Sequence, residues 1–348
     1  MNSDSFIRWS GDPVIFTIPE ITLPFPVSII GLLLAGILIY FGLQKLKADA
    51  PKGEEPEVWK GWALIIGSLV VGQLPFLVID APAITTIGPI QPVWYGALFA
   101  TAFATGYILT SWMYRHAGRT QQEMDRLLMY VLIATVIGAR LGHVIFYDFD
   151  FYLRNLHLVP QVWRGGLASH GAAIAIIIAM YLYVKRTPKM SFWWLADRVV
   201  PSVAVGGMFI RFGNFTNSEI LGQESTVPWA VIFENAPQLT EAAQQIPRHP
   251  TMLYEALICI VTLAVLLFVY KKYQNRPPEG SLFGLFLVIL FSGRFFIEFT
   301  KMTQATFTET WGLGLDMGQL LSVPLVVYGA WVLIKQVDWK RGGDALKG

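Results

Sequence analysis

Residues 251–270 read TMLYEALICIVTLAVLLFVY, an apolar run as long as the roughly 20 residues that a helix needs to cross a bilayer. The whole chain shares this character, since 54% of its 348 residues are hydrophobic and 14% are charged, with a mean hydropathy of +0.50. Ordinary soluble domains carry about 25% charged residues. The composition therefore predicts an all-α polytopic membrane protein.

Nine apolar segments are predicted to cross the membrane. They lie near 26–44, 61–80, 93–114, 127–147, 168–184, 191–211, 251–270, 281–300 and 317–335. Cytoplasmic loops carry an excess of Lys and Arg. With the N-terminus outside, the loops on the cytoplasmic side hold 17 of the 26 Lys and Arg residues, and the opposite loops hold 5. This bias predicts nine crossings with a periplasmic N-terminus and a cytoplasmic C-terminus, because eight would break the alternation.

The predicted organisation has an N-terminal extension with two spans, a membrane core and a cytoplasmic tail. These regions are 1–87, 88–335 and 336–348. Two outside segments of the core are longer than simple turns. Residues 148–167 mix aromatic, apolar and basic side chains, which is typical of an arm lying in the membrane interface. Residues 212–250 are expected to form a small periplasmic head, in which WAVIF at 229–233 predicts a short strand.

A polar cluster, RFGNFTNSEILG at 211–222, directly follows an apolar run. A charged residue at membrane depth costs roughly 2.5–3.5 kcal/mol, so it usually faces a cavity, a partner or a substrate. The cluster places Arg211 beside Asn214, Asn217 and Glu219. A guanidinium flanked by amides suits a phosphate, which arginine grips with parallel hydrogen bonds. The cluster therefore predicts a site for an anionic head group at the membrane boundary.

Other polar residues stand in places where two interpretations remain open. His170 has glycines on both sides, which permit close backbone approach, and it is either a histidine bonded to backbone or a functional group. Arg294 and Glu298 are four residues apart and share a helix face, either as a self-neutralising pair or as part of a site. Arg140 lies among small residues in mid-span and is either a helix-packing device or a second anionic contact.

Aromatic and imidazole groups at the starts of spans also have a plain alternative. Tyr95 falls where aromatic belts are common. His249 and Tyr254 open the segment at 251–270, where Pro250 near the first turn makes helix capping the simpler interpretation.

Several classes of site are excluded or disfavoured by the sequence. It contains no Walker loop, no dinucleotide fingerprint, and neither the HExxH nor the GxSxG motif. The five histidines show no zinc-like pairing, so we expect no metal and no cofactor, and nothing suggests a nucleic-acid partner. The single cysteine, Cys259, lies in an apolar run, so an internal disulfide is impossible and a buried, inert thiol is expected.

An ordered series of motifs resembles the prolipoprotein diacylglyceryl transferases of bacterial inner membranes, over about Gly88 to Lys335. The series is WYG (94–96), GARLG (138–142), VWRGGLASHG (162–171), RFGNFTNSEILG (211–222), RHPTMLYE (248–255), GRFFIEF (293–299) and MGQLLSVP (317–324). The segment DPVIFTI (12–18) is similar to the start of typical members, where it leads almost directly into WYG. Here a long segment intervenes, which implies two spans added to the family's seven.

The resemblance implies a reaction and a set of site residues. The sn-1,2-diacylglyceryl group of phosphatidylglycerol would pass to the lipobox cysteine of a prolipoprotein signal peptide, forming a thioether and releasing glycerol phosphate. The implied catalytic residues are His170, Arg211 and Arg294. The implied phosphatidylglycerol contacts are Tyr95, Arg140, Arg211, Asn214, Asn217, Glu219, Gly222, Arg294 and Glu298. Supporting residues would be His249, Tyr254 and Gln319.

Two questions stay open at the level of sequence. His170 could be the general base that deprotonates the thiol, or it could be a substrate contact. Intramembrane arginines would equally suit a polytopic transporter or flippase for an anionic lipid or metabolite. That alternative predicts broken helices or repeats, which the sequence does not show, whereas a purely structural scaffold leaves the arginines unexplained.

Overall fold

The computed structural model describes residues 6–28, 35–36, 38–40, 83–87, 89, 91–162, 165–302 and 315–340. The chain forms two compact units. The larger unit joins Met1–Pro13 to Trp94–Gly348, and the smaller is Val14–Val93. The predicted spans 26–44 and 61–80 lie largely outside the described residues. The division at 87/88 and the tail at 336–348 stay predictions.

Helices dominate the larger unit. In chain order they are α1 (Trp94–His116), α2 (Gln121–Phe146), α3 (Phe149–Arg154), α4 (Ser169–Lys185), α5 (Phe192–Thr216), α6 (Glu241–Gln244), α7 (Thr251–Lys272), α8 (Ser281–Glu298) and α9 (Met317–Trp331). A 3-10 turn, Leu156–Leu158, follows α3, and a π turn, Val332–Gln336, extends α9. The helical class predicted for the core is therefore confirmed.

Seven of these helices coincide with the apolar segments predicted between 93 and 335. Among the described residues, four are long and apolar enough to cross a membrane, namely α2, α7, α8 and α9 with its π turn. Helix α4 is also apolar but has 17 residues. A multi-pass membrane protein follows, whereas the total of nine crossings stays a prediction.

Small strands accompany the helices in both units. In the larger unit β1 (Ile7–Trp9) pairs in parallel with β4 (Val231–Phe233), which confirms the short strand predicted within 229–233. In the smaller unit β2 (Ile21–Ser28) runs antiparallel to β3 (Ala83–Ile87). Strand β2 covers the positions where the first span was expected to begin. Pro24 and Pro26 lie in it, and proline lacks the N–H that a helix interior requires.

The GARLG motif packs α2 against α4. Gly138 and Gly142 face Gly171 across the helix pair, and a Cβ added at Gly171 would lie 2.6 Å from the Gly142 Cα. A side chain does not fit at that distance. In membranes, where lipid is as apolar as leucine, small residues let helix backbones approach closely and gain packing energy. The motif therefore holds together the two helices that flank the predicted interfacial arm.

A buried carboxylate fixes α8 relative to α5. Asp197 on α5 is fully buried, and its two carboxylate oxygens accept hydrogen bonds from the backbone N–H groups of Gly280 at 2.7 Å and Phe283 at 2.8 Å. The first N–H groups of a helix have no partner within the helix, so this carboxylate caps α8. The cap sets the position of the helix that carries Arg294.

Within the larger unit, the two residues that border the segment 14–93 are bonded to each other. The backbone N–H of Trp94 donates to the Pro13 carbonyl oxygen at 2.9 Å. A segment that starts and finishes on the same side of a membrane crosses it an even number of times. This contact supports the prediction of two added spans within residues 14–93, which itself remains a prediction.

Candidate active site

The polar cluster at 211–222 begins inside a helix. Helix α5 runs to Thr216, beyond the expected span end at 211, so Arg211 and Asn214 are three residues apart on one helical face. An Nη1–H of Arg211 donates to Asn214 Oδ1 at 3.2 Å. Asn214 and Asn217 then donate to the two carboxylate oxygens of Glu219, at 3.0 and 3.1 Å. The four predicted residues thus form one hydrogen-bonded chain.

A strained turn returns Glu219 to the helix end. Ser218 and Ile220 both have left-handed backbone conformations, with φ of 52° and 57°. Such angles are uncommon in residues other than glycine, and for β-branched Ile220 they are exceptional. Local strain of this kind persists only where the surrounding structure imposes it. Here the Ile220 carbonyl is held by the Thr251 hydroxyl, which donates to it at 2.6 Å.

A second carboxylate, Glu255 on α7, draws three cations together. Its oxygens lie 2.8 Å from Arg211 Nε, 3.0 Å from Lys301 Nζ and 4.0 Å from Arg294 Nε. The Glu255 side chain is 3% exposed. Lys301 also contacts Glu298, at 2.8 Å. Residues from α5, α7 and α8 and from the segment after α8 therefore share one charged centre.

Arg294 and Glu298, for which the sequence leaves open a self-neutralising pair or a part of a site, have different ionic partners. Among the described residues Arg294 contacts Glu255, and Glu298 pairs with Lys301. Glu298 also lies against the first turn of α9, because a Cβ at Gly318 would be 2.5 Å from its carboxylate. Gln319 caps that turn, since its Oε1 accepts from the Asp316 N–H at 2.9 Å, and its Nε2 donates to the Phe295 carbonyl.

The loop at 221–223 fastens three helix ends together. The Gly222 N–H donates to the His249 carbonyl at 3.0 Å. The Gln223 N–H donates to the Thr300 carbonyl, in the segment after α8, at 2.8 Å, and the Met302 N–H of that segment donates back to the Leu221 carbonyl at 3.1 Å. A Cβ at Gly222 would collide with the His249 backbone, so glycine is required by this close approach. The loop thus sets the distance between Arg211 and Lys301.

His249 and Tyr254 belong to a chain of polar contacts that reaches the surface. The exposed Trp229 donates its Nε1–H to the Tyr254 hydroxyl at 2.7 Å, and that hydroxyl lies 3.0 Å from His249 Nδ1. Tyr95, at the start of α1, packs its ring on Gly213, where an added Cβ would be 2.7 Å from a ring carbon. All three predicted residues therefore lie around the cluster or on the loop that fastens it.

Arg140 has a different set of partners, and no contact within the described part of the chain joins it to the centre at Glu255. Its guanidinium is buried and donates to four backbone carbonyls of the predicted arm, and it stacks over the Tyr152 ring at 4.9 Å. The acceptors are Leu158, Val159, Gly165 and Gly166. Gly166, with φ of 67°, fits closely against both Arg140 and His143. The contacts favour the packing interpretation of Arg140, and its predicted contact with lipid remains untested.

His170 is exposed on the first turn of α4, directly after the segment that Arg140 holds. No contact between described residues joins its ring to the charged centre at Glu255. Its ring makes no hydrogen bond to another described residue. The ring is therefore open to a substrate, but its predicted role is not tested by these contacts.

Comparison with known proteins supplies the family. Residues 82–335 match the family model described as prolipoprotein diacylglyceryl transferase. This chain belongs to that family. Proteins named phosphatidylglycerol–prolipoprotein diacylglyceryl transferase are similar to it in Tolumonas auensis (43% identity, 71% of this chain and 92% of the relative), Chloroherpeton thalassium (37%, 74% and 92%) and Porphyromonas gingivalis (39%, 74% and 93%). The expected resemblance is confirmed, and the chain is a transferase.

The sequence interpretation of this transferase missed two residues of the charged centre. Glu255 is the one carboxylate within the apolar run 251–270, and an ionisable residue at membrane depth is a functional candidate by default. That signal was present in the sequence. Lys301 lies outside the predicted spans, and its ionic partners, Glu255 and Glu298, are brought to it only by tertiary packing.

The centre can bind an anion without dismantling its own hydrogen bonds. The three cations lie around Glu255 and Glu298, whereas Glu219 accepts hydrogen bonds from Asn214 and Asn217. Neither oxygen of Glu255 receives a directed hydrogen bond from the described residues. The N–H groups that face Glu255 are thus held near it by charge and remain able to turn towards a phosphate. Among the described residues no group of three or more His, Cys, Asp or Glu could hold a metal ion.

Proposed function

We propose that this transferase moves the sn-1,2-diacylglyceryl group of phosphatidylglycerol to the lipobox cysteine of prolipoproteins. A thioether forms and glycerol phosphate leaves. The observation that carries the proposal is the convergence of Arg211 and Arg294, from two different helices, on one buried centre. The relatives' names describe the same lipid donor and protein acceptor, which supports the assignment.

The reaction is a displacement at an sp³ carbon. The cysteine sulfur forms a bond to the glyceryl carbon while the bond from that carbon to the phosphate oxygen breaks. Negative charge therefore builds on the departing glycerol phosphate. Arg211 and Arg294 are suited to stabilise it, because guanidinium stays charged and matches phosphate oxygens with two parallel donors. Donors already fixed in place do not need to reorganise as the charge develops.

The thiol must lose its proton for this attack. A free cysteine has a pKa near 8.5, so at neutral pH it is mostly protonated and weakly nucleophilic. A neutral His170 would accept that proton as general base, an effect commonly worth about 10²–10⁴-fold. The exposed position of its ring at the start of α4 is consistent with meeting an incoming peptide.

Other residues would hold the lipid head group or position the two arginines. Asn214, Asn217 and Glu219 would orient Arg211 and contact the glycerol hydroxyls, and Tyr95 would bond a phosphate or glycerol oxygen. Gly222 would shape the loop, and Glu298 would hold Lys301. Arg140 would contact phosphatidylglycerol beside the arm that it holds. His249, Tyr254 and Gln319 would support the loop and α9.

The proposed location is the bacterial inner membrane, with the N-terminus and the head in the periplasm. Two observations support this orientation. Strand β1 near the N-terminus pairs with β4 of the 212–250 head, so both lie on one side of the membrane. The charge bias of the loops assigns that side to the periplasm. The proposed C-terminus is cytoplasmic.

The test is transfer with purified components. Detergent-purified protein is incubated with phosphatidylglycerol and a lipobox peptide, and the peptide is analysed by mass spectrometry. We expect an added diacylglyceryl group on the cysteine. The control is a peptide in which serine replaces the cysteine, and it should gain nothing. A folded protein that gives no adduct, but that moves phosphatidylglycerol between leaflets once it is reconstituted in liposomes, would contradict the proposal and favour the transporter.

A further inference from the structure

Glu255 is the most enclosed charge of the site, and the proposed reaction assigns it no role. Its carboxylate is 3% exposed, in a helix surrounded by apolar residues. Burying a charge costs several kcal/mol unless ionic and hydrogen-bonding partners offset it. Arg211 and Lys301 lie within 3.0 Å, whereas Arg294 lies at 4.0 Å. Two cations are thus closely held, and the third is loosely held.

The three cations differ in their freedom to leave Glu255. The side chains of Arg211 and Lys301 are 16% and 9% exposed, and each also has a second partner, Asn214 or Glu298. The Arg294 side chain is 34% exposed and donates no hydrogen bond to another residue that the structure describes. Arg294 is therefore the cation that an arriving anion can engage at the smallest cost.

Charge also distinguishes the empty centre from the occupied one. Arg211, Arg294 and Lys301 carry three positive charges, and Glu255 with Glu298 carries two negative ones. A phosphodiester brings one further negative charge and would balance these five groups, while the Glu219 carboxylate keeps its bonds to Asn214 and Asn217. Without Glu255 the three cations would repel one another, and the distances between their donors would no longer be fixed.

From these contacts we propose that Glu255 is a positioning residue of the phosphate clamp, and that the substrate phosphate replaces it as the partner of Arg294. The carboxylate holds Arg211 and Lys301 in place throughout. In the empty site it also retains Arg294, which turns to the phosphate when the lipid enters. This inference rests on the proposed function, because it assigns the anion to the phosphate of that substrate.

The proposal predicts opposite changes in binding and in rate. Glu255→Gln keeps the shape of the side chain but removes the charge that competes with phosphate for Arg294. Binding of glycerol 1-phosphate should tighten at least threefold, because the net positive charge rises. The kcat for transfer should fall at least tenfold, because the cations are no longer aligned. A loss of folded protein would lower the rate without tightening this binding.

The measurements are isothermal titration with glycerol 1-phosphate and steady-state transfer from phosphatidylglycerol to the lipobox peptide. The control is Glu224→Gln, which removes a carboxylate that is 63% exposed on the head and should leave both quantities within twofold. Unchanged or weaker binding by Glu255→Gln, or an unchanged kcat, overturns the inference. If wild-type protein binds glycerol phosphate but transfers nothing, the proposed function fails instead.

A second variant covers the case in which Glu255→Gln does not fold. Glu255→Asp keeps the charge and withdraws it by one methylene group. Glycerol 1-phosphate binding should stay within twofold of wild type, and kcat should fall at least threefold because the cations follow the shorter side chain. Wild-type kcat in a folded Glu255→Asp protein contradicts the positioning role.

Discussion

Arg211 is the residue on which the site is organised. It touches Glu255 through Nε and Asn214 through Nη1, so one guanidinium links α7 to the hydrogen-bonded chain that ends at Glu219. A planar fork can make both contacts and still present a donor to a phosphate in a fixed direction, whereas an ammonium group has three donors but no such rigid fork. The identity of the cation should therefore matter as much as its charge.

Replacing Arg211 with lysine tests this geometry. Arg211→Lys keeps the positive charge but loses the fork, and we expect kcat for transfer to fall at least tenfold while the protein still accumulates in the membrane. Steady-state kinetics with phosphatidylglycerol and a lipobox peptide give the value. Arg276→Lys, in the turn after α7, is the matched control and should transfer at the wild-type rate. Wild-type kcat in Arg211→Lys would show that charge alone suffices.

Replacing His170 tests the origin of the thiolate. If the ring is the general base, His170→Gln should lower the rate about 10²–10⁴-fold at neutral pH. The deficit should shrink as the pH approaches 8.5, because the peptide thiol then ionises without help. A rate profile from pH 6.5 to 9 measures this. A deficit that is the same at every pH would assign His170 to substrate contact.

At the scale of elements, the α2–α4 pair supports the segment between Arg140 and His170. The two helices meet through glycines, and the arm between them is held by the Arg140 guanidinium. His170 follows that arm at the start of α4. Any separation of the two helices would therefore move the arm and the histidine together.

A methyl group at the crossing tests this packing. Gly171→Ala places a Cβ 2.6 Å from the Gly142 Cα, and overpacking of this kind costs about 1–3 kcal/mol. We expect a lower unfolding temperature in detergent. Gly206→Ala on α5 is the control, because its added methyl would meet nothing within 4 Å. Equal unfolding temperatures for Gly171→Ala and wild type would mean that the crossing is looser than the structure indicates.

The helices were predictable because each is an apolar run of membrane length, a signal carried by consecutive residues. The end of α5 was not, because Arg211 and Asn214 continue the helix with polar residues that resemble a loop. The contact of Glu255 with Lys301 could not be predicted from the sequence either, since the two residues are 46 positions apart and meet only through tertiary packing. Local patterns thus located the site, but its charge pairing depends on how three helices meet.

At the scale of the whole molecule, the chain consists of a transferase unit and a smaller unit, Val14–Val93, which is inserted into its sequence. The larger unit closes on itself through the Trp94 N–H and the Pro13 carbonyl, 2.9 Å apart. The family match begins at residue 82, close to the end of the insertion. The larger unit also contains the whole charged centre.

Removing the insertion tests whether it is needed for the chemistry. Joining Pro13 to Trp94 through Asn-Gly would make the existing bond the i to i+3 hydrogen bond of a β-turn. We expect the shortened protein to fold and to transfer at a rate within threefold of wild type, measured with purified components. A folded deletion protein with no transfer would mean that residues 14–93 contribute to the site.

The identity and stoichiometry of the products test the proposed transfer most directly. Wild-type protein in phosphatidylglycerol nanodiscs is given a lipobox peptide, and both products are quantified by mass spectrometry. If the proposed transfer occurs, we expect one diacylglyceryl group on each modified cysteine, in a linkage that resists hydroxylamine as a thioether does, and an equal amount of glycerol phosphate. An acyl group in a hydroxylamine-labile linkage, or glycerol phosphate released without peptide modification, would contradict it.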